Sequence, residues 1–325
     1  MIIFLVKHFY KKISGILSIS EIIGMGELAA LGAMFAGGLS NIFFKSQGQN
    51  ISPIAINTIK ISVGAIGFFI AGFIIQGVKL FTIIPLTNFL ILCLALLIGF
   101  VIGDSLYLIS QHHIGVSIAF PIALSYPLLT YLFSILMVNE TFTWVKSIGI
   151  VIVLLGVFLI SKSSSSKSNN ANEYSDELQE LPQKKTNKIY IFFAMGAAVC
   201  WALGTVILQI GLEDHGVIEA NAIRMFFGAG ILYSIFRVQE KKPLTSFQRR
   251  SIGIIILGAI IGTLIGNSLY LIAVQEIGAT TTSAITASAP MVSTPLSALF
   301  LKEKISFWLI IATILTVTGI ILIIS

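Results

Sequence analysis

The sequence GDSLYLISQHHIG at residues 103–115 is repeated as GNSLYLIAVQEIG at residues 266–278, an offset of 163 residues. The register continues downstream without a gap, and further upstream, from Gly32 to Gly64, the matching residues lie at an offset of 164. One residue of slippage over most of each half predicts a duplicated fold. The further matching pairs are Gly32/Gly196, Asn57/Asn221, Lys60/Arg224, Gly64/Gly228, Pro127/Pro290, Glu140/Glu303 and Gly156/Gly319.

Hydrophobic residues make up 56% of the chain and charged residues only 10%. A soluble domain carries about 25% charged residues, so this composition excludes a water-soluble globule. Several stretches lack charge over about the 20 residues that a bilayer-spanning helix needs. They are residues 80–103, 189–212, 251–275, 279–301 and 305–325. We therefore predict a multi-pass integral membrane protein.

Five further spans complete an all-α membrane protein of ten transmembrane helices, five in each copy. An odd number of crossings makes the second copy enter from the opposite face, so we predict a 5+5 inverted repeat. The predicted helices cover residues 28–44, 53–76, 85–110, 115–138 and 142–161, then 188–210, 218–238, 251–274, 279–301 and 305–325.

The repeats predict four segments along the chain. Residues 28–161 and 188–325 form the two repeats. Residues 1–27 place Lys7, Lys11 and Lys12 among apolar side chains, which favours an uncleaved interfacial amphipathic helix over a cleaved signal. Residues 162–187 are rich in Ser, Asn and charge, a composition typical of a flexible polar linker.

The formal charge of +6 comes from Lys and Arg in the loops. Basic loops beside apolar spans are usual in membrane proteins, so we expect no nucleic-acid partner. With the termini in the cytoplasm, fewer loop cations lie inside than outside, so the charge bias favours external termini.

We expect no metal and no other cofactor. Cys93 and Cys200 both lie within predicted spans and have neither CxxC nor His-Cys spacing. His112 and His113 occupy a short loop without further ligands.

The repeated pattern resembles the EamA-type branch of the drug/metabolite transporter superfamily. Each family repeat opens with a small-residue helix around a Trp-Gly pair, similar to residues 200–204 (CWALG), although the first copy has Gly37 where the Trp aligns. The family also has a basic residue in the second helix, a proline in the fourth and a glutamate before the fifth. The matching residues are Lys60, Arg224, Pro127, Pro290, Glu140 and Glu303.

The resemblance implies a secondary transporter in the cell membrane. Such proteins often export amino acids or other small metabolites through a cavity between the repeats. The resemblance also implies cytoplasmic termini, which opposes the charge bias.

Ionisable side chains within a span are costly, so they are functional candidates by default. Lys60 and Asp104 each lie seven residues from a predicted helix end, which places both roughly 10 Å below the same membrane surface. The two residues can therefore pair. A structural ion pair and a proton-coupling carboxylate are the two interpretations of Asp104.

The second copy has Arg224 and Asn267 at the corresponding positions, so the cation persists while the carboxylate becomes an amide. A guanidinium without a fixed partner can bind a carboxylate or phosphate, which favours an anionic or zwitterionic cargo. The alternatives are a pair with Glu219 or snorkelling to lipid headgroups. Asn57 and Asn221 precede the cations by three residues and share their helix faces.

Further candidate residues surround these polar positions. Tyr107 and Tyr270 follow Asp104 and Asn267 by three residues, although core packing is the commoner role of such tyrosines. The hydroxyl-rich fourth span of the second copy suggests cargo contacts or close helix packing. Pro127 and Pro290 are candidates for gating kinks. The remaining candidate cargo contacts are Trp201, Thr282 and Thr286.

We expect alternating-access transport of a small molecule, with proton coupling through Asp104 as an added hypothesis. A lipid or lipid-linked sugar flippase, or a non-transporting membrane protein, is the alternative, because duplication fixes a fold rather than a cargo. An enzyme is not expected. An intramembrane aspartyl protease needs a second aspartate in a span, and HExxH and GxSxG are absent from the sequence.

Overall fold

The structure, a computed structural model, describes residues 24–47, 50–77, 84–172, 188–212, 216–241, 243–292, 296 and 307–324. The predicted amphipathic segment lies almost wholly outside these ranges, and so do residues 173–187 of the predicted linker. The predicted limits of the four segments stay predictions.

The described residues are helical and contain no β-strand. The helices of the first half are α1 Met25–Gln47, α2 Pro53–Gln76, α3 Leu86–Leu96, α4 Asp104–Ile114, α5 Val116–Ala123, α6 Tyr126–Met137 and α7 Trp144–Asn172. Those of the second half are α8 Lys188–Leu212, α9 Val217–Glu240, α10 Arg249–Ala259, α11 Asn267–Thr286 and α12 Phe307–Ile324. Helix α7 continues beyond residue 161, where we predicted the first repeat to end.

Six described helices are long and apolar enough to cross a bilayer. The segment Arg249–Thr286 has 38 residues, which is enough for two crossings at about 20 residues each. Shorter apolar helices cover Trp144–Leu159 and Ile311–Ile324. The count of ten spans and the inverted relation that follows from it stay predictions. The other long apolar helices are Met25–Phe44, Pro53–Gln76, Leu86–Ile114, Ile118–Met137 and Lys188–Leu212.

Glycine ends the third helix of each half. Gly115 has φ 79° and ψ 156°, and Gly278 has φ 77° and ψ 170°. These angles are accessible to glycine and strained for residues with a Cβ, so the chain turns at both positions. Gly115 separates α4 from α5, and Gly278 divides α11 in the same way.

A π-helical turn interrupts the third helix of both halves. Leu97–Gly103 joins α3 to α4, and Ile260–Gly266 joins α10 to α11, at the repeat offset. Such turns are rare and occur often at functional sites. Each one ends directly before the polar residue of its half, Asp104 or Asn267.

Proline explains a second break in each half. A proline ring clashes with the carbonyl four residues before it and has no N–H to donate. Helix α5 ends at Ala123, four residues before Pro127, and α11 ends at Thr286, four residues before Pro290. The fourth helix that we predicted as continuous is therefore two helices in the first half.

The first helix of each half packs against the other half. Helix α8 packs on α3, α4, α5, α6 and the π-helical turn of the first half, while α1 packs on α10, α11 and the π-helical turn of the second. The second helices, α2 and α9, contact each other, and so do the fifth helices, α7 and α12. This reciprocal arrangement brings the polar residues of both halves into one region.

Glycine allows the closest of these helix contacts. A Cβ built on Gly204 of α8 would lie 3.0 Å from Gly99 Cα and 3.1 Å from the Ala95 carbonyl oxygen. A Cβ on Gly319 of α12 would lie 2.7 Å from the Gly149 carbonyl oxygen. Small residues of this kind let helices approach closely in lipid, where packing drives their association.

Candidate functional site

The contact between α2 and α9 sets the location of the site. Asn57 and Lys60 lie on α2, and Asn221 and Arg224 lie at the matching positions of α9. Each helix presents its amide and cation toward the start of the helix that follows a π-helical turn. The two resulting clusters are called here the first-half cluster, around Asp104, and the second-half cluster, around Asn267.

In the first-half cluster, Lys60 and Asp104 form a salt bridge through Nζ and Oδ2. Their side chains are only 16% and 13% exposed. Trp201 of α8 donates its indole Nε1–H to the other carboxylate oxygen, Oδ1, at 2.8 Å. Both carboxylate oxygens of Asp104 therefore accept a hydrogen bond, and the donor to Oδ1, Trp201, belongs to the second half.

Asn57 connects the first-half cluster to the π-helical turn. Its Nδ2 donates to the Phe100 carbonyl oxygen at 2.9 Å and to Ser105 Oγ at 3.2 Å. Because a π-turn leaves carbonyls outside the regular helical pattern, this side chain helps to satisfy one of them. Asn57 is fully buried, and its Oδ1 has no hydrogen-bond partner among the described residues.

Aromatic side chains enclose Trp201. The ring of Tyr107 lies 5.2 Å from it and that of Tyr126 lies 5.8 Å from it, centroid to centroid. Tyr126 also donates its hydroxyl to the Ser283 carbonyl at 3.1 Å and lies 2.9 Å from Thr286 Oγ1. Thr286 is thus placed at a contact between the halves.

In the second-half cluster, Arg224 is surrounded by amides. Arg224 Nε donates to Asn221 Oδ1 at 2.9 Å, and Arg224 Nη2 lies 3.5 Å from Asn267 Oδ1. Asn267 Nδ2 donates to the same Asn221 oxygen at 3.0 Å. Asn221 Nδ2 is buried and has no hydrogen-bond partner among the described residues.

Arg224 takes up neither of the two alternatives considered for it. Glu219 instead accepts a 2.6 Å hydrogen bond from Gln76 Nε2. Arg224 is only 1% exposed, so its guanidinium does not reach the protein surface. Among the described residues, the ion pairs are Lys60–Asp104 and Lys146–Glu140, and neither involves Arg224.

One phenyl ring lies beside both buried cations. The centroid of Phe100 is 5.5 Å from Lys60 Nζ and 6.0 Å from Arg224 Cζ. Ring faces attract cations at such distances, more strongly where water is excluded. Phe100 belongs to the π-helical turn Leu97–Gly103, so that turn contacts the cation of each cluster.

The remaining predicted residues lie around these clusters. Tyr270 is 2.7 Å from Thr205 Oγ1, hydroxyl to hydroxyl, and Thr205 also donates to the Trp201 carbonyl at 2.8 Å. Thr282 is fully buried, and its hydroxyl has no hydrogen-bond partner among the described residues. Pro127 and Pro290 lie at the breaks of the fourth helices.

Two hydrogen bonds between residues far apart in the sequence were not foreseen, and the first of them joins the two halves. Glu140, in the loop before α7, accepts from Thr280 Oγ1 of the second half and from Lys146 Nζ at 2.7 Å. Gln209 Oε1 accepts from the Ala279 N–H at 2.7 Å, directly after the Gly278 turn. The repeated glutamate was the available signal for the first of these, but its partner is far away in sequence.

The described residues contain no group of three His, Cys, Asp or Glu side chains that could hold a metal ion. Cys93 and Cys200 are not in a disulfide. His113 stacks on Tyr190 at a centroid distance of 3.9 Å. Its ring is therefore engaged in packing.

Long apolar helices, a repeated interrupted span and two buried polar clusters are features of an integral multi-pass membrane transporter. The profile of the EamA-like transporter family matches residues 24–162 and 188–325, one match for each repeat. The chain therefore belongs to the EamA-like transporter family.

Named relatives agree with this assignment. An uncharacterized transporter of Clostridium kluyveri is 26% identical over 187 residues, covering 58% of this chain and 56% of the relative. The match thus spans about half the length of that relative. An uncharacterized transporter of Archaeoglobus fulgidus is 23% identical over 240 residues, covering 74% of this chain and 77% of the relative. Family and relatives point to a transporter rather than an enzyme.

A solved protein crystal structure shares the fold. It is 16% identical to this chain and aligns with a TM-score of 0.70 over 92% of this chain and 96% of its own. A sequence identity of 16% shows that the two proteins share a fold and indicates nothing about shared chemistry.

Removing Lys60 should leave Asp104 as an uncompensated buried charge. We expect Lys60→Met to lower the free energy of unfolding by on the order of 3 kcal/mol, measured by denaturant unfolding in detergent micelles. Lys60→Met combined with Asp104→Asn should recover most of that loss. Lys146→Met, which breaks the more exposed pair, should cost about 1 kcal/mol or less.

A loss from Lys60→Met no larger than that from Lys146→Met would contradict this account of the pair. The same conclusion would follow if the double variant were no more stable than the single one.

Proposed function

We propose that the protein is a secondary transporter that moves a small anionic or zwitterionic metabolite across the membrane by alternating access. Arg224 is the anchor for the anionic group of the cargo. The observation that carries this proposal is the burial of Arg224 among amides, with no carboxylate partner among the described residues. Export is the direction that the family resemblance implies.

The charges of the two clusters support an anionic cargo. In the first-half cluster the ammonium of Lys60 and the carboxylate of Asp104 compensate each other. In the second-half cluster Arg224 has only neutral partners, Asn221 and Asn267. A charge held away from water without compensation is costly, so a ligand that brings a negative charge gains the interaction that the protein itself does not supply.

The chemistry of the guanidinium suits a carboxylate or a phosphate. Its planar fork of N–H donors matches two oxygens at once, which a lysine ammonium does not. Asn221 Nδ2 is a further buried donor without a hydrogen-bond partner among the described residues. An oxyanion at this cluster would therefore find several donors of the kind that fixed amides and arginine provide.

Proton coupling is the second part of the proposal, with Asp104 as the proton carrier. It is the carboxylate of the first-half cluster, and its bonds to Lys60 and Trp201 connect α2, α4 and α8. Protonation would weaken both bonds at once, because a neutral carboxylic acid is a poorer acceptor than a carboxylate. Asp104 would thereby link its charge state to the contact between the halves.

The broken fourth helices are the proposed hinges. Pro127 and Pro290 have no N–H to donate to the carbonyls four residues before them, at the ends of α5 and α11, so the regular helical ladder stops there and the backbone can bend. The Tyr126 hydroxyl near Thr286 and the Glu140 carboxylate near Thr280 join the halves beside these breaks. Rocking of one half against the other would exchange such contacts.

Arg224→Gln should remove the guanidinium that we propose binds the anionic group of the cargo. We expect uptake of radiolabelled acidic or zwitterionic amino acids into proteoliposomes to fall at least about tenfold, because a charge-assisted bond contributes about 1.5–3 kcal/mol. Arg237→Gln is the matched control, since Arg237 lies on the same helix at an exposed position. Arg224→Lys should retain part of the activity. Unchanged kinetics in a folded Arg224→Gln variant would remove this residue from the site.

Asp104→Asn should separate transport from the pH gradient. Flux through the wild-type protein is expected to respond to an imposed gradient, whereas the variant should transport at the same rate with and without it. The second half, in which Arg224 accommodates Asn267, indicates that a cation and an amide can pack together here. Asp104→Glu, which keeps the carboxylate, is the control, and a gradient response that persists in Asp104→Asn would exclude Asp104 as the carrier.

A further inference from the structure

The side chain that lies beside Asp104 is much larger than the residue at the matching position beside Asn267. Trp201 lies against Gly103, where an added Cβ would be 2.9 Å from the indole Cδ1. From there its Nε1–H reaches Asp104. At the repeat offset of 164, the position of Trp201 corresponds to Gly37 in the first half.

Gly37 holds the equivalent place beside Asn267. A Cβ built on Gly266 would lie 3.8 Å from the Gly37 backbone nitrogen and 3.0 Å from Ala36 Cβ. Gly266 is the neighbour of Asn267 in the chain, just as Gly103 is the neighbour of Asp104. An indole at position 37 would therefore point at the amide of Asn267 in the way that Trp201 points at Asp104.

The position occupied by Trp201 in the other half is open at Gly37. A Cβ added to Gly37 would meet no heavy atom of the described residues within 4 Å. Residues seven positions away share its helix face, and both Ala30, at 0% exposure, and Phe44, at 9%, are buried. The open space thus lies on a face of α1 that is turned toward protein rather than lipid.

The side chain that packs against Trp201 also has a smaller counterpart in the second half. Tyr126, whose ring packs against Trp201, corresponds to Ala289 in the second half. Met34 packs against Ala289 and takes up part of the difference. The flexible methionine side chain can change conformation when a ligand enters.

We infer that the space beside Gly37 is a subsite for a flat ring, up to the size of an indole, in a cargo whose anionic group binds Arg224. The inference deepens the proposed function and rests on it. Trp201 shows what this fold accepts at the equivalent position: a planar apolar group with an edge donor directed at the polar residue. At the second-half cluster, no side chain that the structure describes fills that role. Asn221 Nδ2 lacks a hydrogen-bond partner among the described residues, and Arg224 lies next to Asn267.

The two parts of the site are adjacent. Arg224 Nη2 is 3.5 Å from Asn267 Oδ1, and Gly266, next to Asn267, lies against Gly37. The cargo that we infer therefore carries its anionic group close to its ring. The chemical class is therefore a ring-bearing organic anion or zwitterion.

The test compares two probes on the purified full-length protein in detergent. Indole-3-carboxylate carries the ring and the anion, whereas acetate carries the anion alone. Isothermal titration is expected to show at least about tenfold tighter binding of the ring-bearing probe to the wild-type protein, because the ring buries apolar surface. Arg224→Gln should weaken the binding of both probes.

Gly37→Trp fills the space from within the chain. We expect this variant to lose at least about tenfold in affinity for indole-3-carboxylate while its affinity for acetate stays within about twofold. Gly230→Trp is the control, because Gly230 is exposed and an added Cβ there would likewise meet no atom of the described residues within 4 Å. Gly37→Leu is a second variant with a smaller side chain, which should give an intermediate loss.

The outcomes separate the subsite from the anchor. Equal affinity of the wild-type protein for the two probes, with binding that still depends on Arg224, would overturn the subsite and leave the anchor intact. So would a folded Gly37→Trp variant that binds indole-3-carboxylate as the wild type does. Binding that is unaffected by Arg224→Gln, or the binding of neither probe, would overturn the anchor and the subsite with it.

Discussion

The arrangement of the two polar clusters depends on how the buried cations Lys60 and Arg224 are stabilised among apolar helices. Lys60 and Arg224 occupy matching positions on the two helices that contact each other across the halves, and both approach the ring of Phe100. Placing a charge at this depth costs at least a few kcal/mol unless a partner compensates it. Asp104 compensates Lys60, and the amides around Arg224 solvate its charge without cancelling it. The difference between a carboxylate and an amide therefore gives the two halves different chemistry within the same fold.

The glycines and π-helical turns make this arrangement sterically feasible. Gly204 lets α8 approach the backbone at Gly99, and Gly103 leaves room for the indole of Trp201. The π-turns place Asp104 and Asn267 at the starts of the helices that follow. Close backbone approach and an interrupted helix are both tolerated within a membrane protein where neighbouring helices satisfy the exposed backbone groups. The cross-half contact of Trp201 with Asp104 is a direct consequence.

Much of the fold could be predicted from the sequence because duplication is visible in it. The repeated segment at residues 103–115 and 266–278 predicted the two-repeat architecture, and apolar runs located most of the described helices to within a few residues. Helix α7, which extends to Asn172, and the broken fourth helix of the first half are the exceptions. The pairing of Lys60 with Asp104 was predicted from the number of residues that separates each of them from its helix end. The amides around Arg224 followed from the repeat offset. Each of these inferences uses residues that are close in sequence or related by the repeat.

The parts that were missed depend on contacts between distant residues. The Tyr126–Thr286 contact spans 160 residues and the Glu140–Thr280 bond spans 140, so no local pattern predicts either one. The π-turns also lack a distinctive local signal, although Gly99/Gly262 and Gly103/Gly266 lie at matching positions within them. The role of Phe100 between the two cations required the three-dimensional arrangement. The assignment of residues to cargo binding remains a prediction.

The most direct test of the central claim is the effect of Asn267→Asp on cargo affinity, measured by isothermal titration with the purified protein. This change gives Arg224 the carboxylate that Lys60 already has, so the charge of the second-half cluster becomes compensated from within. The account predicts that the variant folds with at least wild-type stability and loses at least about tenfold in affinity for anionic cargo. Unchanged affinity in the folded variant would show that an uncompensated Arg224 is not what binds the cargo.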